Sequence, residues 1–200
     1  LAILFGGRSE SGLRNDLWAF SATEEQWKEL GPSGSEIPSP RAEVALAQRL
    51  DSTVAYLFGG VTEEGLSDEL FLLDLVDFDF ESITASGPTP APRRGASMAL
   101  DEELQRLILF GGLDEEGPRN DLWAFDLQAR TWSELVSSCD PTAAICPPRV
   151  ESSAAVYDNW SSRFRLLVGR SDDRNTQPSW SYSPGERWTH TSSASQEQTG

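Results

Sequence analysis

The chain contains one histidine, His190, and three tyrosines, Tyr56, Tyr157 and Tyr182. An imidazole-based metal centre needs companions at ligand spacing, and none stands near His190, which reads as an exposed outer-strand residue. Serine and cysteine occur without a histidine placed to activate them, so a nucleophile–base arrangement is disfavoured. Carboxylates recur at Glu10, Glu63-Glu64 and Glu115-Glu116, but none of these runs has the alternating oxygen ligands of a calcium loop. Their plain reading is solvation of loops. No local motif supports a carboxylate pair for glycoside hydrolysis. Two covalent features remain. Cys139 and Cys146 sit in a proline-rich connection, close enough either to close a small loop as a disulfide or to remain two thiols in a reducing compartment. Asn159-Trp160-Ser161 fits the acceptor pattern for N-glycosylation and falls at an expected exposed turn. No catalytic residue, metal or cofactor is expected.

A formal charge of −16 would repel phosphate backbones and anionic membrane surfaces, so nucleic acid is not an expected partner. All the basic residues except Lys28 are arginine, the side chain suited to holding carboxylates through paired hydrogen bonds. No apolar stretch approaches the roughly 18 residues needed to span a bilayer, so membrane insertion is not expected. Residues 1–5 are apolar but carry no basic leader or cleavage site. The cytoplasm is the expected compartment. A secretory location is the alternative, resting on Asn159 and the cysteine pair.

The elements that position these groups are set by an internal repeat. Leu4-Phe5-Gly6-Gly7 returns as Leu57-Phe58-Gly59-Gly60 and as Leu109-Phe110-Gly111-Gly112, about 50 residues apart. From the second glycine an aromatic follows 11 residues on, at Trp18, Phe71 and Trp123, and another 20 residues on, at Trp27, Phe80 and Trp132. A degenerate fourth copy keeps the register: Gly169 is followed by Trp180 at 11 and Trp188 at 19. A repeat of this length implies a propeller or an array.

The third copy reads as four strands. Ala96–Leu100 alternates small and apolar residues, and Leu107–Phe110 is a continuous apolar run expected to be covered on both faces. Gly111-Gly112 should end that strand and open an acidic loop over 113–120. Asp121–Asp126 places Leu122 and Ala124 on one face and Trp123 and Phe125 on the other. Thr131–Leu135 supplies the outer strand. The recurrence of Trp27, Phe80, Trp132 and Trp188 at one position implies packing between neighbouring sheets. Proline-rich connections, at Pro40-Arg41, Pro92-Arg93 and Pro147-Pro148-Arg149, fix each crossing to the next copy.

An apolar run ending in Gly-Gly, aromatics near 11 and 20, and a following Pro-Arg together resemble the kelch repeat, which builds four-stranded propeller blades. The match runs from Leu1 to about Thr191. Departures are the single glycine of copy four, Phe80 in place of Trp, and the absence of the Gly-His that often follows Pro-Arg. The expected fold is an all-β, kelch-type propeller segment of about four blades, over 1–36 (incomplete), 37–88, 89–141 and 142–191, with a polar tail at 192–200. The first copy lacks the segment that precedes the others, and the chain has no starting Met; both lead to the expectation of a fragment that begins inside a blade. An unclosed array would expose apolar flanks, so this segment alone is expected to associate or be poorly soluble.

The resemblance implies partners held where loops after Gly-Gly meet segments after Pro-Arg. That places Arg8, Val61, Leu113 and Arg170 beside Glu43, Gly95 and Glu151, with Arg8 and Arg170 available to grip a partner carboxylate. The expected function is a non-catalytic, protein-binding scaffold or adaptor. The alternatives are part of a propeller enzyme, similar to copper-dependent galactose oxidases, with its ligands elsewhere, or a secreted recognition domain.

Overall fold

In a computed structural model, which describes residues 2–34, 36–48, 52–139, 146–149, 153–168, 179–183 and 187–191, each copy of the repeat forms an antiparallel meander. The first sheet contains β1 (Ala2–Ser9), β2 (Gly12–Ser21) and β3 (Gln26–Leu30). The second contains β4 (Ala45–Gln48), β5 (Val54–Phe58), β8 (Leu70–Asp74) and β9 (Phe80–Ser82), with a small separate hairpin of β6 (Val61–Thr62) and β7 (Gly65–Leu66). The third contains β10 (Ser97–Asp101), β11 (Arg106–Asp114), β12 (Gly117–Asp126) and β13 (Thr131–Val136). The fourth contains β14 (Ser153–Asp158), β15 (Arg163–Val168), β16 (Ser179–Tyr182) and β17 (Thr189–Thr191). The first strands of the later sheets, β4, β10 and β14, lie side by side and line a shallow pocket. This is the all-β architecture of propeller blades. Gly169, Arg170, Glu151 and the 192–200 tail lie outside the described residues.

Burial explains the continuous apolar run. Leu107 and Leu109 pack toward the second sheet with Tyr56, Phe58 and Trp132, whereas Ile108 toward the fourth sheet joins Phe110, Phe164 and Trp188. Leu122 and Ala124 follow the latter face and Phe125 the former. A strand covered on both sides must be apolar at consecutive positions. The outer aromatics make the contacts between sheets: Phe80 lies 5.2 Å from Phe5, Trp132 5.3 Å from Phe58, and Trp188 5.3 Å from Phe110, between ring centroids. Each therefore reaches back to the apolar strand of the preceding copy.

Trp27 departs from this expectation. It is 52% exposed and meets only Phe20 of its own sheet, at 5.2 Å, because no described sheet lies on that side to receive it. At the opposite flank Leu167, which aligns with Phe110, is 57% exposed for the corresponding reason. Aromatic packing at this position requires a neighbour, and sequence periodicity alone does not report one.

In the first and third copies the glycine pair does not end its strand, whereas in the second β5 stops at Phe58. In β1 and β11 the register slips at the glycines, between Phe5 and Gly7 and between Phe110 and Gly112, and the strand continues into a raised hairpin. The segment over 113–120, expected as a loop, is that hairpin; it closes on Asp114 paired with Gly117. The glycines are required by close approach. Gly59 has φ +68°, and a Cβ there would lie 2.6 Å from the Arg93 carbonyl oxygen; a Cβ on Gly60 would lie 2.7 Å from that of Ala42. The Gly60 N–H donates to the same Arg93 oxygen at 2.9 Å, so these glycines let one blade hydrogen-bond the entry of the next. Gly59→Ala is expected to cost about 2 to 4 kcal/mol, from backbone strain together with a clash that only a backbone shift relieves. Gly65→Ala, at a hairpin tip with φ +124° and open space around it, keeps the backbone strain but not the clash and should cost less, as urea unfolding of the two variants will read.

Tyr157, on the inner strand of the fourth sheet, is buried; that burial, reinforced by the Asp101 carboxylate, pushes its phenol up to about 12. The native state thus keeps a proton that the unfolded chain releases near pH 10. Between about pH 10 and 12 the native state binds more protons than the unfolded state, so stability falls as pH rises through that window. Tyr157→Phe is expected to flatten this alkaline loss, measured as the unfolding midpoint against pH.

Candidate functional site

The face carrying the raised hairpins is built on two buried arginines. Arg41 and Arg93, the arginines of Pro-Arg, are 1% and 2% exposed. Arg93 donates to the Gly111 carbonyl at 2.8 Å and, through both terminal nitrogens, to the two oxygens of Asp121 at 2.8 and 2.9 Å. The Trp123 indole N–H donates to Asp121 at 2.9 Å. Arg41 repeats the pattern, donating to the Gly59 carbonyl at 3.1 Å and to Glu69 at 2.7 Å. Burial pushes the Glu69 carboxyl up, but hydrogen bonds from Arg41 and Ser67 outweigh it and hold it below the usual range. In the second and third blades a guanidinium fork with its carboxylate thus ties the glycine turn to the strand that follows it.

These acids were legible in principle. They stand nine residues after the second glycine, at Asp16, Glu69 and Asp121, and the fourth copy has Pro178 there instead. In that copy Arg149 is exposed and the buried Trp180 indole N–H has no partner among the described residues, whereas Trp18 donates to Asp16 at 2.9 Å.

Above this base, Ala42 bridges Val61 and Arg94 bridges Leu113 through reciprocal backbone hydrogen bonds. Glu43, with φ 58°, presents its carboxylate to Arg94 Nη1 at 2.7 and 2.5 Å, while its carbonyl accepts from the Gly95 N–H at 2.8 Å. The structure thus gathers Glu43, Gly95, Val61 and Leu113 along one rim. Glu43 is already engaged by Arg94, a residue that sequence reasoning passed over, and Gly95 contributes backbone rather than a side chain. Arg8 is exposed on the first hairpin, paired across it with Leu13. Its expected companions Arg170 and Glu151 lie outside the described residues.

The hairpin tips carry Glu10, Glu63-Glu64 and Glu115-Glu116. Arg119 neutralises part of the third, bonding Asp114 at 2.6 Å and also Glu116. No ion pair among the described residues involves Glu63, Glu64 or Asp68. Those three line a cavity of about 550 Å³, between the second hairpin and Ser39-Pro40, with Glu69 at its base.

Cys139 and Cys146 are bonded to each other, with Cα atoms 6.1 Å apart. Fully buried Asn120 holds both ends of the bridge: its amide donates to the Cys139 carbonyl at 3.1 Å and the Pro147 carbonyl at 2.9 Å, and its oxygen accepts from the Cys139 N–H at 3.1 Å. His190 is exposed on β17, its ring 5.0 Å from that of Trp180. Among the described residues no three His, Cys, Asp or Glu side chains gather to hold a metal, and no helix is long and apolar enough to cross a membrane.

Comparison with known proteins places this geometry. A family model described as the KLHDC2/KLHL20/DRC7 Kelch-repeats domain matches residues 1–200. Host cell factor homolog hcf-1 of Caenorhabditis elegans is 29% identical over 203 residues, covering 88% of this chain and 25% of that protein. Human Host cell factor 1 is 30% identical over 196 residues, covering 87% of this chain and 9% of its own length. Serine/threonine-protein phosphatase BSL2 of Arabidopsis thaliana is 32% identical over 168 residues, covering 81% and 15% respectively. The chain thus spans a quarter or less of the length of these relatives. With its repeated Gly-Gly strands, its buried Pro-Arg forks and a match along its whole length, the chain belongs to the kelch-repeat family.

Proposed function

We propose that the chain is a non-catalytic scaffold or adaptor module that holds a protein partner on the hairpin face, and that the partner segment is basic. The observation that carries this reading is the 550 Å³ cavity walled by Glu63, Glu64 and Asp68 on a cross-linked base. Loops on a rigid scaffold are where recognition concentrates. Unpaired carboxylates around a concave site attract a lysine- or arginine-bearing segment and speed its encounter. Arg8 adds a contact for a partner carboxylate at the edge of the same face.

The test is capture of partners from a lysate of the source organism by the full-length natural protein, with bound proteins identified and then assayed individually. Glu63→Lys with Glu64→Lys is expected to weaken the bound partner about tenfold or more, most strongly at low salt. Arg8→Ala should have a smaller effect. Binding unchanged by the double reversal overturns the assignment of the cavity.

A further inference from the structure

We propose that Asn159 is an N-glycosylation site and that this kelch domain matures in an oxidising, secretory compartment. Two independent observations point there. The chain's two cysteines are both consumed in one disulfide, which persists in oxidising compartments and is rare where glutathione keeps thiols reduced. The chain also has one Asn-x-Ser/Thr triplet among its four asparagines, and the fold puts it at a turn tip.

The other described asparagines are structural: Asn120 is buried under the disulfide, and Asn15 donates to the Pro38 carbonyl at 3.2 Å. Asn159 is exposed in the turn joining β14 to β15. In a meander this turn lies at the opposite end of the blade from the hairpins that follow the glycines, so a bulky sugar there leaves the recognition face open. The turn's contacts use other atoms. Asn159 Oδ1 accepts from the Glu102 N–H at 3.4 Å, and Ser162 donates to Glu103 at 3.1 Å, so Nδ2 is not needed to hold the fold. Trp160 is 99% exposed, a large apolar ring standing in water beside the acceptor. The apolar face of a core sugar would cover part of it.

The transfer acts on the extended chain, before Ser161 has closed its 2.6 Å hydrogen bond to Asp158. Nδ2 attacks the anomeric carbon of a lipid-linked oligosaccharide diphosphate. The carbon–oxygen bond to phosphate breaks, the carbon–nitrogen bond forms, the lipid diphosphate leaves, and the amide proton passes to a base of the transferase. No electron changes hands.

The experiment uses the full natural protein purified from its source and, in parallel, the chain secreted from a eukaryotic host behind a cleavable leader. Intact mass is measured before and after peptide-N-glycosidase. The expected result in both is removal of a glycan from Asn159 with its conversion to aspartate, and Cys139 and Cys146 that resist alkylation until reduced. Ser161→Ala should abolish the decrement and Ser161→Thr should retain it, which separates a lost acceptor from a misfolded turn. A source protein whose Asn159 peptide carries no glycan, or a secreted chain whose mass does not fall on treatment with peptide-N-glycosidase, overturns the proposal.

Discussion

Asp121→Ala is expected to lower the unfolding free energy of the chain by about 3 to 5 kcal/mol, measured by urea denaturation. The substitution leaves the Arg93 guanidinium buried at 2% exposure, with the Gly111 and Ala91 carbonyls as its remaining acceptors among the described residues, and removes the acceptor of the Trp123 indole. A buried cation without its counter-charge has neither water nor a partner to replace the lost interaction. The pair itself need not be net stabilising, so Arg93→Met added to Asp121→Ala should recover a large part of the loss. Glu69→Ala, in the matching position of the second blade, should cost less, because the Glu69 side chain is 53% exposed and water can take its place around Arg41. A loss below about 1 kcal/mol for Asp121→Ala would assign the fork a surface character the geometry does not give it.

Trp132→Ala is the second large effect, expected at about 3 to 5 kcal/mol. The indole sits between Phe58 of the second sheet, at 5.3 Å, and Phe125 of its own, at 5.0 Å, so truncation opens a cavity between two blades as well as removing apolar contact. Trp27→Ala, the same substitution at the same repeat position, should cost no more than about 1 kcal/mol, because the ring is half in solvent. The comparison holds residue type and strand position constant and varies only the neighbour. Equal losses would show that these aromatics act within their own sheets and not between them.

Much of the fold was legible because kelch repeats write burial into their spacing. Val54–Phe58 and Thr131–Val136 appear as strands where apolar residues and turn signals bound them. Leu122 and Phe125 take the opposite faces that their alternation assigns. The reading failed where a residue's role depends on what approaches it. Gly111-Gly112 marks a bulge that a strand runs through, since a Cβ on Gly112 would lie 2.8 Å from the Arg94 carbonyl oxygen at the entry of its own blade. Arg93 carries no sign in the sequence of being buried, although the acid at a constant nine-residue offset, Asp121, was there to be paired with it. Of the expected binding residues, Val61, Leu113, Glu43 and Gly95 do gather on one rim, but Glu43 is held by Arg94.

By itself the sequence determined that each copy of the repeat folds as an antiparallel sheet, where most of the strands lie and which faces Leu122 and Phe125 take. Those follow from local periodicity, which needs only the chain's own geometry. The tertiary structure decided which carboxylates are consumed by arginines and which have no ion pair among the described residues, because that depends on residues such as Arg93 and Asp121, 28 positions apart, meeting where water is excluded. It also decided that Asn120 is buried beneath the disulfide, a placement that its residue type alone does not report.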